Sequence, residues 1–77
     1  MMTTVRDLWI KAEKMKLEGE PWPHIREKLI ERGRDSGFSH ENDLGDRRSY
    51  ELLFETGEKI RFDGDHYCYE RARGTSA

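Results

Sequence analysis

Residues 49–70, SYELLFETGEKIRFDGDHYCYE, decide the fold of this 77-residue chain, because they carry its clearest periodic signal. Tyr50, Leu52 and Phe54 alternate with Glu51, Leu53 and Glu55, and Ile60 and Phe62 alternate with Lys59 and Arg61. A period of two places every second side chain on one face of a strand. Thr56-Gly57 separates the first run from the second, and Asp63-Gly64 follows the second. Asp-Gly is a strong hairpin signal, because both central residues of a type I′ turn need positive φ. The stretch therefore predicts a three-stranded antiparallel meander.

Register then decides which side chains face a core, since a slip of one residue inverts a strand. A first loop of Thr56, Gly57 and Glu58 pairs Phe54 with Ile60 and Leu52 with Phe62. It also sets Glu55 against Lys59 on the other face, an ion pair contributing roughly 0.2–1 kcal/mol. A two-residue loop would set Phe54 against Lys59 and Leu52 against Arg61, and is rejected. In the second hairpin, a two-residue Asp63-Gly64 turn sets Ile60 beside Tyr67 and Arg61 beside His66, so that Tyr67 and Tyr69 join the covered face. A loop extended to Asp65 would turn both tyrosines outward, onto a basic and aromatic platform suited to stacking nucleic-acid bases. The Asp-Gly turn chemistry favours the first arrangement.

Upstream of the meander, the sequence predicts helices that cover one face of it. Thr4 caps a first helix over residues 4–18, with Asp7 completing an imperfect capping box and Gly19 as the stop. Val5, Leu8, Trp9, Ala12 and Met15 form its apolar stripe. Glu20-Pro21-Trp22-Pro23 reads as an extended elbow, because each residue before a proline is pushed from the α region. Pro23 then opens a second helix that runs to about Arg32, before Gly33. Ile25, Leu29 and Trp22 form its buried edge, while Arg26, Glu27, Lys28, Glu31 and Arg32 form a charged side.

From Arg34 to Arg48, RDSGFSHENDLGDRR, the patterning stops. Ser39 can cap a short third helix over His40 to Leu44; otherwise this is a long loop anchored by Phe38 and Leu44, of the kind that is functional or mobile. RARGTSA after Glu70 reads as a polar tail. The expected organisation is one α+β domain over residues 1–73, with a disordered tail at 74–77. Two N-terminal helices, with or without a short third, pack on one face of a C-terminal three-stranded antiparallel meander.

Composition limits the core. With 34% hydrophobic and 39% charged residues, a domain of this size holds about 3–5 kcal/mol of stability. The eight aromatics Trp9, Trp22, Phe38, Tyr50, Phe54, Phe62, Tyr67 and Tyr69 must fill much of it. A homodimer, or a partner that buries more apolar surface, fits such a core. Residues 1–34 hold eight basic and six acidic side chains (+2), and residues 35–77 hold six and ten (−4). That asymmetry is too weak for a basic nucleic-acid clamp or for an acidic mimic of DNA. One cysteine, no signal-peptide pattern at MMTTVRDLW and no apolar run approaching the roughly 20 residues of a membrane span imply a reducing, cytoplasmic location with no membrane partner.

Catalytic and metal chemistry find no constellation. His66 and Cys68 share a strand face, but His24 and His40 lie in other segments, and paired CxxC or HxxxH spacing is missing. Asp63 to Asp65 lacks the remaining spacing of a calcium loop. Cys68 lies between tyrosines with no cationic helix end to lower its pKa. Glu41 with Asp43, and Glu55 with Glu58, are carboxylate pairs of the kind abundant at this charge content, and there is no glycine-rich phosphate loop. The expectation is a non-enzyme with no metal and no cofactor.

Two binding readings remain. In the first, the chain is a small regulator or inhibitor, of the accessory or phage and mobile-element type, that binds a protein partner. Its candidate surface combines Glu41, Asp43 and Asp46 of the acidic segment with Leu53, Glu55, Lys59 and Arg61 on the outer sheet face; the edge of the last strand is also open to a partner sheet. Leu53 is the one large apolar side chain left outward. In the second, residues Glu18 to Leu29, EG-x-x-W-x-x-I-x-x-x-L, resemble the first two helices of a winged helix-turn-helix, and the following hairpin would be the wing. That resemblance implies a DNA-binding regulator using Arg26, Lys28, Arg47 and Arg48. It departs from the pattern at Ser39 to Arg48, where a recognition helix would carry Glu41, Asp43 and Asp46 toward phosphates.

Overall fold

The computed structural model describes residues 3–43 and 49–71. Helix α1 spans Val5–Leu17 and helix α2 Trp22–Gly33, followed by a 3-10 turn at Arg34–Ser36. Four strands then form a single antiparallel sheet in sequence order: β1 Phe38–Asp43, β2 Tyr50–Phe54, β3 Lys59–Phe62 and β4 Tyr67–Glu70. The expected α+β architecture is present, with one strand more than the meander and with no third α-helix among the described residues. The expected tail at 74–77 lies outside them.

The capping box on α1 is complete. The Thr4 hydroxyl accepts from the Asp7 amide at 3.1 Å and the Asp7 carboxylate accepts from the Thr4 amide at 3.3 Å. Trp22, one residue before Pro23, opens α2 from the extended Pro21, and the helix continues through Gly33. Gly33 is therefore not a stop. A Cβ there would lie 3.1 Å from the Phe54 ring and 3.3 Å from Phe38 Cβ, so glycine lets the sheet approach the helix. The chain reverses instead at Gly37, whose φ of 86° suits the left-handed region.

Strand β1 replaces the expected loop or short helix over residues 38–43. It pairs Phe38 with Phe54, then slips by one residue, so that His40 faces Leu53, Glu41 faces Leu52 and Asp43 faces Tyr50. This bulge inserts Ser39 as the extra residue. Without it Phe38, His40 and Asn42 would share a face; with it Phe38, Glu41 and Asp43 point toward the helices.

Both hairpins differ from expectation by an even shift, which preserves the faces. Leu52 pairs with Ile60 and Tyr50 with Phe62, two residues from the expected pairing. The loop is Glu55, Thr56 and Gly57: the Gly57 amide donates to the Phe54 carbonyl at 2.9 Å, and the Phe54 amide to the Glu58 carbonyl at 3.1 Å. Gly57 has φ 93°, as the bulge that closes a three-residue hairpin loop needs. In the second hairpin Phe62 pairs with Tyr67 and Ile60 with Tyr69, and Asp63 pairs with His66 across Gly64-Asp65. Gly64 with φ 100° is the first central residue, the position at which a type II′ turn takes glycine. Tyr67 and Tyr69 thus lie on the covered side.

The core is formed by Val5, Leu8, Ala12 and Met15 of α1, Ile25 and Leu29 of α2, and Tyr50, Leu52, Phe54, Ile60, Phe62 and Tyr67 of the sheet. Trp9, Trp22, Phe38 and Tyr69 seal its rim. No helix among the described residues is long and apolar enough to cross a membrane.

Candidate interaction face

Because the sheet is pleated, the side that the helices leave uncovered is fixed by register. Two rows of side chains cross it. One runs His40, Leu53, Lys59, Glu70; the other runs Asn42, Glu51, Arg61, Cys68. Lys59 bridges Glu51 at 3.3 Å and Glu70 at 3.6 Å, and Asn42 donates to Glu51 at 3.3 Å. Leu53, beside Lys59 in the first row, is half-buried. Arg61 and Cys68 are exposed. The face is an internally paired charge lattice around one leucine.

Of the expected protein-binding residues, Leu53, Lys59 and Arg61 occupy this face. Glu55 sits in the β2–β3 turn, where its amide donates to the Gly37 carbonyl at 2.7 Å. Glu41 and Asp43 belong to a strand and point to the opposite side of the sheet. Asp46 lies outside the described residues. Glu41 and Asp43 therefore do not share a surface with the outer sheet face.

Glu41 instead meets a residue assigned by sequence to DNA. Arg26 on α2 holds the Glu41 carboxylate through two hydrogen bonds of 2.5 Å, with its guanidinium carbon 5.7 Å from the centre of the Tyr50 ring. The bond to Glu41 raises the Arg26 pKa further above its already high value. A small cleft of about 180 Å³, lined by Trp22, Arg26, Glu41, Asp43, Ser49 and Tyr50, adjoins the pair. Lys28 lies on the outward side of α2 between Glu27 and Glu31. Arg47 and Arg48 lie outside the described residues, and Ser39–Asp43, the start of the would-be recognition helix, is β-strand.

Beneath the sheet the buried hydroxyls of Tyr50 and Tyr67 lie 3.3 Å apart. Burial pushes the Tyr50 phenol far up, and the bond to Tyr67 adds to it. Burial also raises Tyr67, while the bond to Tyr50 acts in the opposite direction. Among the described residues no group of three or more His, Cys, Asp or Glu could hold a metal ion.

Sequence reasoning missed His40 and Asn42 as face residues because β1 was not recognised as a strand. It also left out Glu51 and Glu70, although the alternation of each with covered-face aromatics is a signal that could have found them. Comparison with protein-family models, with curated proteins and with solved structures found no match to this chain.

Proposed function

We propose that this chain is a non-enzymatic regulatory or inhibitory module that docks on a protein partner through the open face of its sheet. The observation that carries the reading is a four-stranded sheet covered by helices on one side only, with Leu53 half-buried among ion pairs at the middle of the other. A partner that offers an apolar contact for Leu53, ringed by charges opposite to Lys59, Arg61, Glu51 and Glu70, would bury that leucine and fix orientation electrostatically. Glu41 has no part in this surface, because its carboxylate is committed to Arg26.

The double variant Leu53→Asp with Arg61→Glu tests the reading. Both side chains lie outside the core, so circular dichroism should match the parent. Proteins cross-linked to and captured by the parent from cells of its source should be lost with the variant. Capture of the same proteins with the same recovery by both would overturn the assignment of this face.

A further inference from the structure

A second cluster lies on the opposite side of the sheet, at its β4 edge, and brings together residues that the sequence keeps far apart. Arg6 and Trp9 are three residues apart on α1, hence on one helix face. Tyr69 belongs to β4, and Arg71 follows the strand's last residue. The four line a single cleft of about 350 Å³. The Trp9 and Tyr69 rings stack with centroids 5.8 Å apart and planes inclined at 27°.

Both rings are fixed by their polar ends. Trp9 Nε1 donates to the Tyr67 carbonyl at 2.8 Å, and the Tyr69 hydroxyl donates to the Glu58 carboxylate. The arginines are not. Both are exposed, and neither forms a salt bridge with a carboxylate of the described residues, in contrast to Arg26 and Lys59. Both guanidinium charges are felt at the Tyr69 hydroxyl, where they counter the effect of Glu58. With one carboxylate against two guanidinium groups, the cleft is cationic.

We propose that this cleft binds a nucleotide: a nucleobase lies against the Trp9 and Tyr69 rings, and Arg6 and Arg71 grip its phosphate. Guanidinium forks match phosphate oxygens in two-point contacts, and aromatic side chains take any base through its π-face. An acidic peptide would use the arginines but leave the ring surface unanswered. The volume lies at the low end of small-ligand sites, the size for one base with its phosphate. That nucleotide is either free or one unit of a single strand.

The test uses Trp9 as its own reporter. Trp22→Phe leaves Trp9 as the sole indole of the full chain. Its fluorescence, excited at the red edge of indole absorption, is followed at low salt during titration with adenosine monophosphate, with an oligothymidylate and with inorganic phosphate. Saturable quenching by a nucleotide probe is expected, at least tenfold weaker in Arg6→Gln and in Arg71→Gln. Saturation by the mononucleotide identifies a free nucleotide as the ligand; saturation by the oligonucleotide alone identifies a single strand. For the strand, two phosphate contacts imply a log–log salt slope of about −1.4. Absence of quenching by either probe to millimolar concentration, equal binding in both arginine variants, or displacement by inorganic phosphate at the same concentration as nucleotide would overturn the proposal. Leu53→Asp with Arg61→Glu should leave the quenching unchanged, which separates this site from the open sheet face.

Discussion

Asp63 shows how a single exposed side chain fixes a turn. Its Oδ1 accepts from the amides of Asp65 at 2.9 Å and His66 at 2.8 Å. Those bonds, the His66 one foremost, hold its carboxyl below the usual value of 3.8. A carboxylate whose folded pKa is depressed stabilises the fold fully above the unfolded value, and that contribution fades as pH falls through the folded one. Denaturant midpoints measured between about pH 5 and pH 2 should therefore fall with acid in the parent. Asp63→Asn keeps an acceptor for both amides and removes the titrating group, so its midpoint should fall less steeply. Identical acid slopes for the two proteins would show that other carboxylates set the acid response.

At the scale of elements, β1 is held to the rest of the fold on both sides: by the ladder to β2 and by Arg26 reaching down from α2 to Glu41. Side-chain exposures of 39% and 28% place this ion pair in partial contact with water. Screening lowers its worth, whereas two-point geometry raises it. A double-mutant cycle with Arg26→Ala and Glu41→Ala should give a coupling of about 1 kcal/mol from denaturant unfolding. A coupling indistinguishable from zero would mean that the ladder alone secures β1. Arg26→Ala should cost more than Glu41→Ala, because it also removes the cation over Tyr50.

For the whole molecule, stability rests on one small core. Leu29 of α2 is fully buried at 0% exposure, in the same cluster as Leu8, Leu52 and Ile60. Leu29→Ala should cost about 2–5 kcal/mol, comparable with the roughly 3–5 kcal/mol that a core of this size supplies. The variant should therefore lose its cooperative thermal transition by circular dichroism at room temperature and above. A cooperative transition close to the parent's would place the missing stability in association. In that case the melting temperature of the parent would rise with protein concentration, as linkage requires of a homodimer.

The sequence by itself determined the two helices, the two hairpins and the faces of β2 and β3, and favoured the covered face for Tyr67 and Tyr69, which the pairing of β3 with β4 decided. Each of those rests on a local rule: a capping box at Thr4 and Asp7, an apolar stripe on α1, turn glycines at 57 and 64, and a period of two in which an error of two residues leaves every face unchanged. Strand β1 was not legible. FSHEND has one apolar residue, and the bulge at Ser39 breaks the alternation that would have marked it. Only pairing with β2 makes it a strand. The same pairing sends Glu41 under α2 to Arg26 and not outward beside Leu53. The Arg6, Trp9, Tyr69 and Arg71 cluster likewise exists only because α1 crosses β4, some 60 residues further along the chain. Local propensity fixes what each segment is, but which charges meet is set by long-range packing, and that alone separated Glu41 and Asp43 from the open sheet face.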